Sequence, residues 1–241
     1  MLPRFFRILP TTLRNRIKGK FSIPSMEISL LNLRANGFRP KKIVDIGAYE
    51  GSWTQMIKEI FPEAEVLMIE AQKRKNDCLQ KVASKYEGKV SLFLTLLGPY
   101  EASSASYYEN ETVTSVLPEY YPTAAKLASA PMTTLDEVMR KKGWQKVDLI
   151  KLDVQGYELE ILKAGVQTLS QAETVLMEVS LIEINKGAPL LHEVVQFMSE
   201  NGFRAYDICS LIRRPLDHAL WQVDMLFIKD DSPLVQSKHW S

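Results

Sequence analysis

Two short stretches of this 241-residue chain put acids and glycines where chemistry could be done. KKIVDIGAYEGSWT, residues 41–54, runs apolar and β-branched residues into Asp45, Gly47 and Gly51. VDLIKLDVQG, residues 147–156, ends in Asp153 and Gly156. A strand that ends in acid and glycine and passes into a helix brings bare backbone close to a ligand. The spacing bears on which ligand. A pyrophosphate site reads GxGxxG, because both phosphates must lie against backbone N–H groups at a helix start. Here the pattern is Asp45-x-Gly47-x-x-x-Gly51, with Tyr49 in place of the middle glycine. That weakens a nucleotide-dependent oxidoreductase or epimerase. No Lys lies four residues after any Tyr, so the short-chain dehydrogenase pair is absent.

The loop suits a ligand with an amino-acid tail and an adenosine but no diphosphate. Asp45 would sit beside a positive group, and Gly47 would let backbone approach a flat, charged ligand. The helix start near Ser52 would meet a carboxylate. Glu70 ends the following strand nineteen residues beyond Gly51, where a ribose diol finds its acceptor. S-adenosyl-L-methionine has all of these features. The competing reading makes Asp45 a turn residue and Glu70 a solvated strand end.

Methyl transfer to a hydroxyl benefits from a base. Candidates stand near the carboxyl ends of later strands: Asp153, Glu178 in MEVS, and His192 at the opening of a helix. Each has a plainer role. Asp153 could cap the helix near Tyr157, Glu178 could be a buried acceptor, and His192 lies off the apolar stripe of Leu191, Val194, Val195 and Met198. Asp224 is a weaker candidate, and Glu158 reads as support for the first turn of its helix. Asp153 and Glu178 could hold a divalent metal, but without a third ligand at a telling spacing no metal is expected.

These residues need elements to position them. The pattern predicts strands at 42–48, 64–71, 89–98, 147–156 and 173–180, and two closing strands at 203–212 and 220–229. Helices are predicted between them at 52–61, 74–86, 133–143, 157–170 and 190–202. This alternation implies βαβ units, a mostly parallel sheet and ligands beyond the strand carboxyl ends. Residues 99–131 read as a long irregular stretch, with Tyr107, Tyr108, Tyr120 and Tyr121. It could be a lid or acceptor-binding segment, or simply a loop packed by its own tyrosines.

Composition excludes several classes. The net charge of +1 does not suggest nucleic acid. Residues 1–22 carry six basic side chains and no acid, leaving −5 for the rest. That basic start could touch anionic lipid or a phosphorylated carrier, or be a solvated arm or oligomer contact. Cys78 and Cys209 form no CxxC pair, and His192, His218 and His239 are scattered, so neither a disulfide scaffold nor a zinc site is expected. No apolar run is long enough to span a bilayer, and the start lacks the apolar core of a signal peptide. The sequon at Asn110 carries little weight in such a chain. A cytoplasmic protein is expected, peripheral to the membrane if the basic start binds lipid.

VDIGAYEGSW, IEA, TTLDEV, DLIKLDVQGYELEILKAG and VLMEVS, in this order, resemble the FkbM family of S-adenosylmethionine-dependent methyltransferases. The resemblance spans about 42 to 229, and the fourth-strand block is its most specific part. It implies the class I methyltransferase fold, α/β and Rossmann-like: a doubly wound, seven-stranded, mostly parallel sheet whose last strand is antiparallel. It also implies O-methylation of a small molecule, sugar or glycan- or lipid-linked acceptor. Cofactor roles implied by position fall on Asp45, Gly47, Ala48, Tyr49, Gly51 and Glu70, with Leu97 near the adenine and Asp153 at the sulfonium end. Tyr49 stands where the family often has Asn, and Gln155 where it often has Glu, which weighs against acid–base work at 155. The expected organisation is a helical basic extension at 1–40, a methyltransferase domain at 41–230 and a tail at 231–241. A methyltransferase-like fold kept as a non-catalytic binding module stays open as an alternative.

Overall fold

The structure, a computed structural model, describes residues 23–109, 114–120, 125–237 and 239. The basic residues 1–22, Asn110 and Tyr121 lie outside the described residues. Seven strands form the main sheet: β1 (Lys42–Ile46), β2 (Glu65–Glu70), β3 (Val90–Leu94), β8 (Leu149–Leu152), β9 (Thr174–Ser180), β10 (Phe203–Arg213) and β11 (Leu220–Lys229). Their order is β10-β11-β9-β8-β1-β2-β3. Only the pairings made by β11, with β9 and β10, are antiparallel in this sheet. This is the class I methyltransferase sheet, with its reversed strand inserted beside the edge.

Helices cover both faces. On one lie α1 (Met26–Ala35), α2 (Ser52–Ile60) and α3 (Asn76–Ser84), packed through Leu30, Leu33, Ile57, Ile60, Leu79 and Val82. On the other lie α4 (Leu135–Lys142), α5 (Glu158–Ala164), α6 (Val166–Gln171) and α7 (Leu191–Glu200), packed through Leu135, Val138, Leu162, Leu169, Val194 and Met198. The central strands β1, β2, β8 and β9 are buried on both faces, as parallel strands covered by helices must be. Leu30 and Leu33 are fully buried, so α1 completes this core although the sequence set 1–40 apart. Leu234, in the expected tail, also packs against it. Among the described residues no helix is long and apolar enough to cross a membrane.

Two predicted elements differ. The helix expected over 157–170 is two helices broken at Gly165, where a Cβ would sit 2.9 Å from the Leu135 side chain. The described residues of 99–131 do not form an irregular loop. The chain leaves the main sheet at Thr95 and enters a four-stranded sheet of order β4-β7-β5-β6, made of β4 (Leu96–Leu97), β5 (Ala102–Glu109), β6 (Thr114–Ser115) and β7 (Lys126–Thr133). Its own small core is Leu96, Tyr107, Ala130 and Met132. The alternation of small and polar residues in ASSASYYE lacks the apolar run that marks a buried strand, which is why the strand was missed.

The chain order runs outward from β1 to β3 and resumes on the other side of β1 with β8, so the switch point lies between β1 and β8. Asp148 fixes that junction: its Oδ2 accepts from Lys41 N at 2.7 Å and Lys42 N at 2.9 Å. Asp148→Ala leaves both N–H groups without this acceptor, and a loss of about 2 kcal/mol is expected. It should appear as a lower denaturant midpoint at unchanged m-value.

Candidate active site

A crevice opens at the carboxyl ends of β1, β2 and β8, the position that strand order assigns to ligands in such sheets. It encloses about 760 Å³, open mouth included. Gly47, Tyr49, Glu70, Leu97 and Asp153, five of the residues singled out from the sequence, line it together.

The loop after β1 is tied down by its own backbone. Gly47 N and Ala48 N both donate to Ile69 O, at 3.0 and 3.2 Å, Tyr49 N donates to Glu70 Oε2 at 2.8 Å, and Gly51 N donates to Ala48 O at 2.7 Å. Few loop N–H groups remain for a pyrophosphate, in line with the missing glycine. Tyr49 takes a left-handed conformation (φ 51°), one that Asn adopts more easily than Tyr. Its ring is held by Lys75, whose Nζ lies 3.6 Å from the ring centroid and 2.7 Å from Glu50 Oε1. Gly51 (φ 75°) is the N-cap of α2 and packs against Leu79 and Val82; neither it nor Ala48 lines the crevice.

Two expectations change here. Asp45 does not face the crevice. It is fully buried beneath it, with Thr54 Oγ1 donating to its Oδ2 at 2.6 Å and Lys151 Nζ at 3.1 Å from its Oδ1. Its positive partner is therefore a lysine of this chain. Gly47 does let backbone approach closely, but what approaches first is protein: a Cβ there would lie 2.1 Å from the carbonyl oxygen of Asp153. Only a glycine (φ 73°) lets the β1 and β8 loops meet this way.

Lys151, which the sequence reading passed over, joins these parts. Its Nζ donates to Gly47 O at 3.0 Å and Ile46 O at 3.3 Å, and stands 3.7 Å from Asp153 Oδ2. Burial pulls its pKa down, but Asp45, Asp153 and Glu70 outweigh that and hold it above the usual lysine value. The signal was present: a single charge inside the apolar run LIKL must be paired.

Glu70 is 4% exposed, and each oxygen accepts one backbone N–H, Tyr49 N on Oε2 and Gln72 N on Oε1, both at 2.8 Å. Burial raises its pKa, opposed by those two bonds. Each oxygen keeps a lone pair for a ligand hydroxyl. Asp153 lies just beyond β8 and is exposed on the crevice wall, its Oδ1 accepting from Gln155 Nε2 at 3.2 Å. Glu178 stands beyond the crevice wall on β9, directly opposite Asp224 of β11. Its Oε1 is buried without a hydrogen bond, and burial, then Asp153, Glu158 and Asp224, push its pKa well above the ordinary range. Asp224 accepts from Ser210 Oγ. Glu158 supports its loop, accepting from Val154 N at 3.0 Å, and burial pushes its pKa up to about 7. His192 is exposed on α7 and does not reach the crevice. The second sheet supplies an outer wall the sequence did not reveal. Thr114 and Val116 line the crevice, and Ser115 Oγ donates to Gln155 O at 3.0 Å. Tyr107 is buried in that sheet and Tyr120 is exposed. Among the described residues no group of three or more His, Cys, Asp or Glu could hold a metal.

Residues 45–205 match the family model described as the methyltransferase FkbM domain. Among solved structures, the chain is similar to a methyltransferase FkbM from Methylobacillus flagellatus KT, with TM-score 0.55 and 16% identity over 86% of this chain and 49% of that one. The chain thus spans about half the length of that protein. It is also similar to a putative O-methyltransferase from Klebsiella pneumoniae, with TM-score 0.50 and 12% identity over 85% of this chain and 79% of that one. At these identities the likeness is one of fold. Comparison with curated proteins gave no match.

Two measurements test the buried charges. Lys151→Met strands the Asp45 carboxylate, and a loss of about 3–5 kcal/mol is expected; adding Asp45→Asn should restore part of it. A double variant no more stable than Lys151→Met would show that the two charges are not coupled. Glu178 and Glu158 keep their protons more tightly when folded, so their contribution to stability is full below the unfolded value near 4.5 and is lost as pH rises through their folded values. Glu178→Gln should therefore flatten the decline in stability as pH rises above about 4.5, read from urea midpoints at increasing pH; an unchanged slope would contradict the assignment.

Proposed function

Because this chain belongs to the FkbM methyltransferase family, we propose that it is an S-adenosyl-L-methionine-dependent O-methyltransferase acting on a hydroxyl of a small molecule, sugar or glycan- or lipid-linked acceptor. The observation that carries the cofactor reading is the Glu70 carboxylate, buried in the crevice wall and still able to accept from a ribose diol. The residues present fit such a ligand. Leu96, Leu97 and Ile69 offer a flat apolar wall, Glu70 an ionisable acceptor, and Asp153 an exposed carboxylate beside Gly47 for a cationic centre. When bound, the cofactor supplies an electrophilic methyl group on a sulfonium.

The protein's share is alignment and proton handling. Asp153 sits where it can hold the cofactor's ammonium end or orient the acceptor hydroxyl and take its proton. Burial and the neighbouring Asp153, Glu158 and Asp224 raise the pKa of Glu178 well above the ordinary range, which favours a hydrogen-bond donor over a base on the acceptor side. His192 has no part in this reading, since its side chain is on the outer surface of α7. A nucleotide-dependent oxidoreductase is disfavoured by the consumed loop N–H groups.

Calorimetry with S-adenosylmethionine, S-adenosylhomocysteine and NAD separates these classes, with binding of the first two and not of NAD expected. Glu70→Ala should weaken S-adenosylhomocysteine about 10- to 100-fold, since a hydrogen bond to a charged group is worth about 1.5–3 kcal/mol. Unchanged affinity in a folded variant would remove Glu70 from the site. With an acceptor found by screening sugar, lipid-linked and polyketide hydroxyls, Asp153→Asn should lower turnover about 10²–10⁴-fold. Retained cofactor affinity then places Asp153 on the acceptor, and joint loss places it on the cofactor.

A further inference from the structure

Exposed large apolar side chains gather on one short piece of the described chain. Ile208, Leu211 and Ile212 stand exposed towards the end of β10, and Leu216, in the turn to β11, is 84% exposed. Single exposed apolar residues are ordinary; a run of them marks a surface that meets something. Arg213 and Arg214 lie within the run. Arg213 Nη1 donates to His218 O at 2.9 Å, and Arg214 Nε donates to Asp217 Oδ1 at 2.7 Å, so the turn is held in shape by its own polar groups while Leu216 projects.

Strand register fixes where this turn points. β9 runs parallel to β8, whose carboxyl end opens on the crevice. β11 is antiparallel to β9, with Gln222 opposite Ser180, and β10 is antiparallel to β11, with Arg213 opposite Leu220. The turn therefore projects beyond the same end of the sheet as the crevice. The described chain also starts there. Met26 opens α1, and its Sδ accepts from Nε1 of Trp53, in the first turn of α2 just beyond β1. At the other end of α1, Arg34 Nη1 donates to O of Ile60, the last residue of α2. Ser29 Oγ donates to Asp207 Oδ2 at 2.6 Å, so α1 lies against β10. Residues 1–22, with six basic side chains, no acid, and Phe5 and Phe6, are thus attached at the rim that carries the projecting turn.

We propose that this rim docks on an anionic membrane. Leu216, with Leu211 and Ile212 behind it, enters the boundary between headgroups and acyl chains, and Arg213, Arg214 and the basic start meet lipid phosphates. Charge selects this occupant. A second copy would bring two sets of the same six cations together, whereas an anionic bilayer attracts them. Docked in this way, the chain turns the mouth of its crevice towards the bilayer, which favours a lipid-linked hydroxyl over a freely soluble one as acceptor. That last step rests on the methyltransferase reading given above; the docking does not.

The test is co-sedimentation of the full chain with vesicles of phosphatidylcholine alone and of phosphatidylcholine and phosphatidylserine in equal parts. Wild type should bind the phosphatidylserine vesicles about tenfold more tightly or better, and added salt should weaken that binding. Leu216→Ser leaves the charge unchanged at an exposed position, so thermal unfolding should match wild type while vesicle affinity falls about tenfold. Absence of vesicle binding, or equal binding to both compositions, overturns the proposal. Binding that Leu216→Ser leaves untouched overturns it too, since charge alone would then account for the attraction. A dimer in sedimentation velocity without vesicles, lost in Leu216→Ser, would assign the turn to a second copy and overturn it as well. Calorimetry with S-adenosylhomocysteine on the same protein keeps the two readings apart: vesicle binding without cofactor binding brings down the methyltransferase reading and leaves the docking standing, and the reverse brings down the docking alone.

Discussion

The architecture at the switch point depends on one buried ion pair. Asp45 and Lys151 lie on adjacent strands with almost no solvent contact, and an isolated charge there would be prohibitively costly. Each is compensated by more than the other: Thr54 donates to Asp45, and the carbonyls of Ile46 and Gly47 accept from Lys151. Because those carbonyls end β1 and open the loop after it, the lysine of β8 holds the start of that loop from below. The same contact brings Gly47 under the Asp153 carbonyl, where no side chain can fit. The floor of the crevice is thus set by charge pairing inside the sheet.

Much of this was legible in the sequence, for definable reasons. Strands β1, β2, β8 and β9 are apolar runs bounded by turn residues, and α2, α3 and α7 show helical periodicity, so the alternating pattern and the sheet followed. Glu70, Gly47 and Asp153 were found because they end strands or directly follow them, and Tyr49 and Leu97 through the family resemblance. The second sheet was missed because its strands are short, polar and stabilised by a partner distant in sequence: Leu96 pairs with Met132. Asp45 was given to a ligand because a spacing rule cannot see that Lys151, its register partner on β8, points at the same spot. Gln72 and Thr114 are brought together only by the fold.

Negative charge is distributed unevenly around the crevice. Glu70 lies on its wall at β2, Asp153 beyond β8, and Glu178 and Asp224 opposite one another on β9 and β11. Lys151 is the cation shared among the first of these, and its influence is already divided between Asp45 and Asp153. Towards β11, burial and neighbouring carboxyl groups raise the pKa of Glu178 and Asp224, outweighing Gln155 beside the first and Ser210 and Lys151 beside the second.

The second sheet also bears on how the chain tolerates a change of length. After β4 the excursion opens at Gly98 and closes at Thr133, the last residue of β7, and these two residues are hydrogen bonded, Gly98 N to Thr133 O at 3.0 Å. An excursion whose ends already touch can be extended without stretching β3 or displacing α4. Each doubling of a flexible loop adds only about 0.6 kcal/mol to its closure. Insertions between β5 and β7 would thus rebuild the outer wall of the crevice at small cost, while the charge-paired floor beneath keeps its shape.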